Sequence, residues 1–352
     1  MNGRHGRIVA GARIAAILSG AWREPVEGWT GCADDLAALA PFLLHGGVAA
    51  LAWRRVRGSD HQFGAPAAAL QQAYRLQVLR AAVHEQEVNR SFTLLRASGV
   101  EPVLGKGWAA ARLYPDPGLR PYGDVDLYVR PEQHQAAKAA ITAPGAGGPI
   151  DLHSGFAELD DRTPEQIEAR TVPADADGCP VRIFGAEDHL RLLCLHALRH
   201  GVFRPLWLCD IAAALEGCSA TLDWDRLLWG DPTRTRWTIT AIGLAQRVLG
   251  ARLGGAAIAE RAQNLPRWLA PSVLREWGSS RPAQGARQPM ADALRHPGAL
   301  LRALRARWPN AVEATVGVGG SFSAWPRLPY QVAECARRSA RFVARMSPDA
   351  HA

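Results

Sequence analysis

Residues 102–127 read PVLGKGWAAARLYPDPGLRPYGDVDL, and their pattern changes three times. Glu101–Leu104 is a short strand candidate, and Gly105-Lys106-Gly107 is a tight turn. Trp108–Tyr114 has the alanine-rich make-up of a short helix. It ends at Pro115-Asp116-Pro117-Gly118, where two prolines and a glycine oppose regular structure. Val125–Val129 is β-branched and aromatic and reads as a second strand. Side chains two apart on a strand share a face, so Asp124 and Asp126 point the same way. Two carboxylates that close repel each other unless a cation joins them. Mg²⁺ favours a few carboxylates together with phosphate oxygens, which makes the pair a candidate site for phosphoryl or nucleotidyl transfer.

Asp-x-Asp alone is weak evidence, because the chain contains it at 124/126, 175/177 and 223/225. Ala174–Gly178 reads as a turn, and Asp223 reads as the cap of a helix starting at Trp224. Only the first pair opens an apolar strand after a glycine. The turn before it adds to the argument. Gly105 and Gly107 let the backbone approach an oligophosphate, and Lys106 supplies a compact charge in a chain with 41 Lys+Arg of which only Lys106 and Lys138 are lysine. It is not a P-loop, since Gly99 and Gly105 enclose five residues instead of four and position 107 is not Ser or Thr. A third acid is available in Ile150-Asp151-Leu152-His153. If that strand lies beside Val125–Val129, Asp151 completes a three-acid cluster able to hold two Mg²⁺ ions, or to hold one and orient the attacking hydroxyl. His153 shares the face of Asp151, and either residue could serve as general base.

Around this centre, residues 96–185 alternate strand and helix. Pro131–Ile141 returns to helix, Ala143–Pro149 is a Gly/Pro loop, and Pro180–Phe184 is a further strand. The rest is helical. Leu36–Trp53 carries no Asp, Glu, Lys or Arg yet contains Pro41, Gly46 and Gly47, so it suits a buried helix pair better than a membrane span. Ala67–Ala97 reads as one long helix after Pro66, and Glu187–Arg199 opens a second helical stretch. Met1–Trp22 reads as an amphipathic helix, not a signal peptide, because Arg13 interrupts its apolar run. The division that follows is a helical segment 1–95, an α+β or α/β core 96–185, a helical domain 186–280 and a basic helical extension 281–352. Gly278–Pro289 reads as a linker, Gly317–Pro329 as a loop and Tyr330–Met346 as a basic amphipathic helix.

With 352 residues and 48% hydrophobic content the chain can bury a sizeable core, which excludes collagen-like, wholly disordered and disulfide-scaffold classes. Six cysteines show no C-x-x-C pair and fit free thiols in a reducing cytoplasm. Residues 251–352 carry 15 Arg against 6 Asp+Glu, so the +8 charge of the whole chain resides in its last part. An RNA, an anionic membrane or an acidic partner could meet that segment; the bland alternative is a solvated surface enriched in arginine. His189, His196 and His200 lie on one helix with Cys194, without the acid that a metal site at that spacing needs. Gly320-Ser321-Phe322-Ser323 lacks the spacing of a nucleophile elbow.

The 102–127 run resembles an uncharacterised nucleotidyltransferase family of the DNA polymerase beta-like superfamily. The shared pattern is strand, Lys106-Gly107, a helix ending in Tyr114-Pro115, then Leu119-Arg120-Pro121-x-Gly123-Asp124-Val125-Asp126. It continues through Asp151-Leu152-His153, Val181–Leu190, Leu195-His196-Ala197 and Trp207–Ile211. The resemblance implies a small polymerase-beta-like sheet flanked by helical segments, and a Mg²⁺-dependent enzyme that moves a nucleoside monophosphate from an NTP to an acceptor hydroxyl. Asp124, Asp126 and Asp151 would bind two Mg²⁺ ions, with Mn²⁺ as a substitute. Gly105, Lys106 and Gly107 would lie by the triphosphate, and Arg120 would reach a phosphate or pair with an aspartate. The acceptor is left open among small molecule, peptide and protein, with RNA behind these. The rival readings are a degenerate nucleotide- or partner-binding module of the same fold, and an RNA-directed enzyme using the basic C-terminal segment. Three positions depart from the family: Gly105 stands where Leu is usual, Ser154 where an aromatic is common, and the stretch from Lys138 to Ile150 is short for the further strand expected there.

Overall fold

The computed structural model describes residues 3–143, 148–218, 221–253, 256–279 and 307–346. It begins with α1 (Arg4–Leu18), α2 (Ala33–His45), α3 (Ala49–Val56) and α4 (Ala65–Ala97). The charge-free stretch is the α2–α3 pair, broken at Gly46-Gly47, where Gly47 has φ 70°. The mixed region follows as β1 (Val103–Leu104), α5 (Lys106–Ala111), β2 (Val125–Val129), α6 (His134–Thr142), β3 (Ile150–Ser154), α7 (Pro164–Glu168), β4 (Val172–Ala176) and β5 (Cys179–Ile183). Helices resume with α8 (Ala186–Arg199), α9 (Pro205–Gly217), α10 (Trp224–Leu228), α11 (Pro232–Leu249), α12 (Ala256–Gln263), α13 (Leu269–Trp277), α14 (Ala311–Gly317) and α15 (Leu328–Met346). Asp223 caps α10 by accepting a hydrogen bond from the Arg226 N–H.

The five strands form one mixed sheet in the order β3-β2-β1-β5-β4. β2 runs antiparallel to β1 and parallel to β3, while β1 and β5 are parallel. The alternation of β2 decides what each face carries. Val125, Leu127 and Val129 pack with Val88, Phe92 and Leu95 of α4. Tyr128, on the opposite face, packs with Phe156, Phe184 and Leu192 of α8. Asp126 shares the Tyr128 face by the same period of two. A larger core joins α1–α4 to α8, α9 and α11–α13, and Ala110, Tyr114 and Leu119 of the mixed region are part of it.

Two expectations need correction. Ala174–Gly178 is not a turn throughout: Asp175 and Ala176 belong to β4, which pairs antiparallel with β5. The turn is Asp177-Gly178, with φ 50° and 79°, both in the left-handed region that a tight hairpin of this kind requires. The expected loop at Gly317–Pro329 is shorter at both ends, because Gly317 closes α14 and Leu328 opens α15. Between α6 and β3 no strand occurs among the described residues. Residues 144–147 of that stretch, most of the expected linker Gly278–Pro289, and Arg302 and Arg305 lie outside the described residues.

Candidate active site

The site is built where β1, β2 and β3 end beside α5. Parallel pairing puts Asp126 directly opposite Asp151 and Tyr128 opposite His153. Both acids therefore rise from the same face on neighbouring strands. Asp126, Asp151 and His153 bring one ligand atom each within 4.8 Å of one another, a group able to share a metal ion. Asp126 is buried, Asp151 is 50% exposed at the side chain, and Asp124 lies exposed at the head of β2, outside that closest group.

Two cations face these acids. Lys106 Nζ is 2.8 Å from Asp126 Oδ1, and both side chains are more than nine-tenths buried. His153 Nε2 lies 3.2 Å from Asp126 Oδ1 and 3.2 Å from Asp151 Oδ2. Lys106 Nζ is also 3.2 Å from the same imidazole nitrogen. The Gly107 N–H donates to Asp126 Oδ2 at 3.2 Å. Burial alone would raise the Asp126 pKa, but the bonds from His153, Lys106 and Gly107 prevail and hold it at about 2. Burial alone would lower that of His153, but its two carboxylate partners raise it to about 9. Asp151 is lowered, chiefly by the His153 bond. Asp124, with no such bond, is raised by burial and by the negative charges of Asp126 and Asp151.

The glycines of the turn have separate reasons. A Cβ on Gly105 would stand 2.9 Å from the rings of both Phe184 and Tyr128. Those rings occupy the space, so Gly is the residue that fits where Leu was expected. A Cβ on Gly107 would press within 3.2 Å of the Asp124 carbonyl and of Tyr122 Cβ. Between them, Lys106 has φ 38°, in a region that non-glycine residues rarely adopt. Tyr128 supports both cations: it stacks on His153 with centroids 4.3 Å apart, and Lys106 Nζ lies 5.6 Å from its ring centroid.

Arg120 forms a bidentate pair with Asp210 of α9, at 2.8 Å and 3.2 Å, and Tyr114 donates to the same carboxylate at 2.8 Å. Its guanidinium is thus spent on an aspartate of the helical bundle, not one of the acid cluster. The clamp anchors the loop that leads to Asp124. Asp210 entered the sequence reading only within the family-like run Trp207–Ile211 and without a role, although a lone acid in the apolar run Pro205–Leu215 requires a buried partner. Tyr128 was read only as strand filling. His196 and His200 pack against each other at 4.5 Å and against Trp207, as interface side chains do.

Two carboxylates from adjacent strands and one imidazole thus converge beside a buried ammonium, a group that could hold a metal ion. The sequence matches the pattern of the family described as "Uncharacterised nucleotidyltransferase" over residues 33–149 and 146–238, more than half of the chain. The chain belongs to that family. Among solved structures, an antigenic nucleotidyltransferase-like protein from Paracoccidioides brasiliensis is similar over 52% of this chain and 96% of its own, at 14% identity and a TM-score of 0.35. No curated protein matches the chain.

Proposed function

We propose that the protein is a Mg²⁺-dependent nucleotidyltransferase that moves a nucleoside monophosphate from an NTP to the hydroxyl of an acceptor. The observation that carries this reading is the register pairing of Asp126 with Asp151 on parallel strands, with Asp124 two residues before. The donor set fits the ion. Carboxylate oxygens are the ligands Mg²⁺ prefers, and the pKa of Asp124 is raised first by desolvation and then by the neighbouring charges of Asp126 and Asp151, a second contribution that a cation would relieve. Asp124, Asp126 and Asp151 would hold it, and Mn²⁺ would serve in the same ligand set. Bound there, the metal supplies charge stabilisation to the attacking and leaving oxygens of an in-line displacement.

The chain's own groups do the rest. Lys106, the compact cation of the site, would face the triphosphate, and the small residues on either side of it would let the backbone come close. Gly107 holds Asp126 in place through its N–H. Asp151, the more accessible of the register-paired acids, would take the proton of the acceptor hydroxyl, with His153 as its hydrogen-bonded neighbour. Arg120 acts through Asp210 by fixing the approach to Asp124.

One observation favours a second reading. Lys106 and His153 already neutralise Asp126 without any ion, which is also what a degenerate nucleotide-binding module would display. Thermal unfolding with each NTP, with and without Mg²⁺, separates the two when combined with pyrophosphate release. A ligand at 100 times its Kd stabilises by about 2.7 kcal/mol, which is several degrees in Tm. The expected result is a Mg²⁺-dependent shift and a slow Mg²⁺-dependent release of pyrophosphate, both lost in Asp126→Asn. A metal-independent shift without pyrophosphate would favour the binding module. No shift with any NTP would sink both readings.

A further inference from the structure

The C-terminal helix α15 is packed the wrong way round for a helix that belongs to a core. Its inner side is polar. Gln331 donates to the Pro309 carbonyl at 2.7 Å, and Glu334, 3% exposed, accepts from Arg337 and Arg338. Arg338 also reaches Glu313 of α14 at 2.6 Å. Arg327, just before the helix, is buried and bonded to the Ser321, Ser323 and Trp325 carbonyls. The outer side is apolar. Leu328, Val332, Ala336 and Phe342 recur at steps of four, four and six, with the small polar Ser339 between the last two, and so share one face. Leu328 is 61% exposed, Val332 52% and Phe342 60%, and Trp325 at the entry to the helix is 73% exposed. A soluble helix buries such a face; this one presents it.

The surrounding charge says what would cover it. Residues 328–346 contain one acid, Glu334, against Arg337, Arg338, Arg341 and Arg345. That acid is turned inward, and Arg341 is exposed beside Phe342. Arg337 and Arg338 are engaged with Glu334 and Glu313. Arg341 is therefore the exposed charge among the described residues of the helix, and a second copy laid on this face would offer it no exposed acid of the same helix. The occupant must be apolar beneath and negatively charged at its boundary. We propose that α15 and Trp325 form a peripheral docking surface for an anionic lipid bilayer. The helix lies in the interfacial plane, its Leu, Val and Phe side chains enter the acyl boundary and Arg341, exposed beside them, meets the headgroups. An indole at the interface is suited to that boundary, being apolar in body and polar at one end.

The test uses the full chain and co-sedimentation with vesicles of phosphatidylcholine alone and of phosphatidylcholine mixed with phosphatidylglycerol. Binding is expected to the mixed vesicles, to weaken as salt rises, and to fall roughly tenfold or more, a change of about 1.4 kcal/mol, in the double variant Val332→Ser, Phe342→Ser. Both residues are exposed, so the double variant should melt with the wild type. Arg341→Glu should weaken binding to the mixed vesicles and leave the fold intact. Failure of the wild type to bind mixed vesicles overturns the proposal, as does equal binding to pure phosphatidylcholine. Undiminished binding by the double-serine variant overturns it too, because charge alone would then be acting. A wild-type dimer that the same variant turns into a monomer overturns it by assigning the face to a second copy.

Discussion

Lys106 keeps a backbone conformation that costs on the order of 1–3 kcal/mol, because the turn on either side of it has no freedom to relax: Gly105 is closed in by two rings and Gly107 is bonded to Asp126. Not every ionisable residue near the site is so well supplied with partners. His189 on α8 is 6% exposed, and its Nε2 has no hydrogen-bond partner. Burial brings its pKa down to about 4; Asp210 and Asp126 pull upward and Arg120 downward, without reversing that. A histidine whose folded pKa lies below its unfolded value of about 6.5 stabilises the fold fully above that value. The unfolded chain binds more protons between about pH 4 and 6.5, so stability is lost as pH falls through that window. The loss from His189 alone is expected to reach up to about 3 kcal/mol. Urea midpoints measured across this window should fall steeply for the wild type and less steeply for His189→Met. Part of the slope should remain, since His196 is depressed in the same direction. Asp126 and Asp151, held low by their partners, lose their contributions only below the usual carboxylate pKa, and the opposite effect of the raised Asp124 is common to both proteins. Identical slopes would mean that His189 does not titrate on unfolding in this window.

At the scale of elements, the clamp between α9 and the loop before β2 is the joint most open to test. Asp210 is fully buried and holds Arg120 and Tyr114 at once. Asp210→Ala would leave a buried guanidinium without its counter-charge, a change that costs about 3–5 kcal/mol. The double change Arg120→Met, Asp210→Leu removes both charges and should recover much of that loss, because the desolvation of an ion pair roughly offsets its attraction. Equal destabilisation in the single and double variants, read from urea unfolding, would show that shape and not charge holds the joint. The elements themselves were unequally legible. Val125–Val129 was legible because β-branched and aromatic residues follow one another there, and Ile150–His153 because apolar and polar residues alternate, one residue short of the strand's end at Ser154. β4 was missed because Val172-Pro-Ala-Asp-Ala has weak strand propensity and is held by pairing with β5, a tertiary cause that local reading does not contain. The spacing of Asp124 and Asp126 marked them as a candidate pair, whereas the pairing of Asp151 with Asp126 and the bond of Lys106 to Asp126 depend on separate segments meeting, and no spacing announces either.

At the scale of the whole molecule, the sheet-bearing region is bounded in sequence but not in packing. Residues 96–185 contain all five strands and the acid cluster. Yet one face of β2 is covered by Val88, Phe92 and Leu95 of α4, upstream of that region. The opposite face takes Leu192 of α8, downstream of it. Ala110, Tyr114 and Leu119 belong to the core shared by α1–α4 with α8, α9 and α11–α13. A fragment of 96–185 would lose a cover from both faces and leave Arg120 without Asp210. Small sheets need such covers, since the fraction of surface buried on folding falls with size and is already marginal at about 60 residues even when a core is complete. The fragment is therefore expected to show no cooperative urea transition and no ordered near-ultraviolet signal from its aromatic side chains. The intact chain should unfold through its helical segments and its sheet together, with far-ultraviolet and near-ultraviolet signals coincident. An independently folded 96–185 fragment, or a chain whose two signals separate, would show instead that the sheet carries its own core. The helices would then be a detachable frame around it.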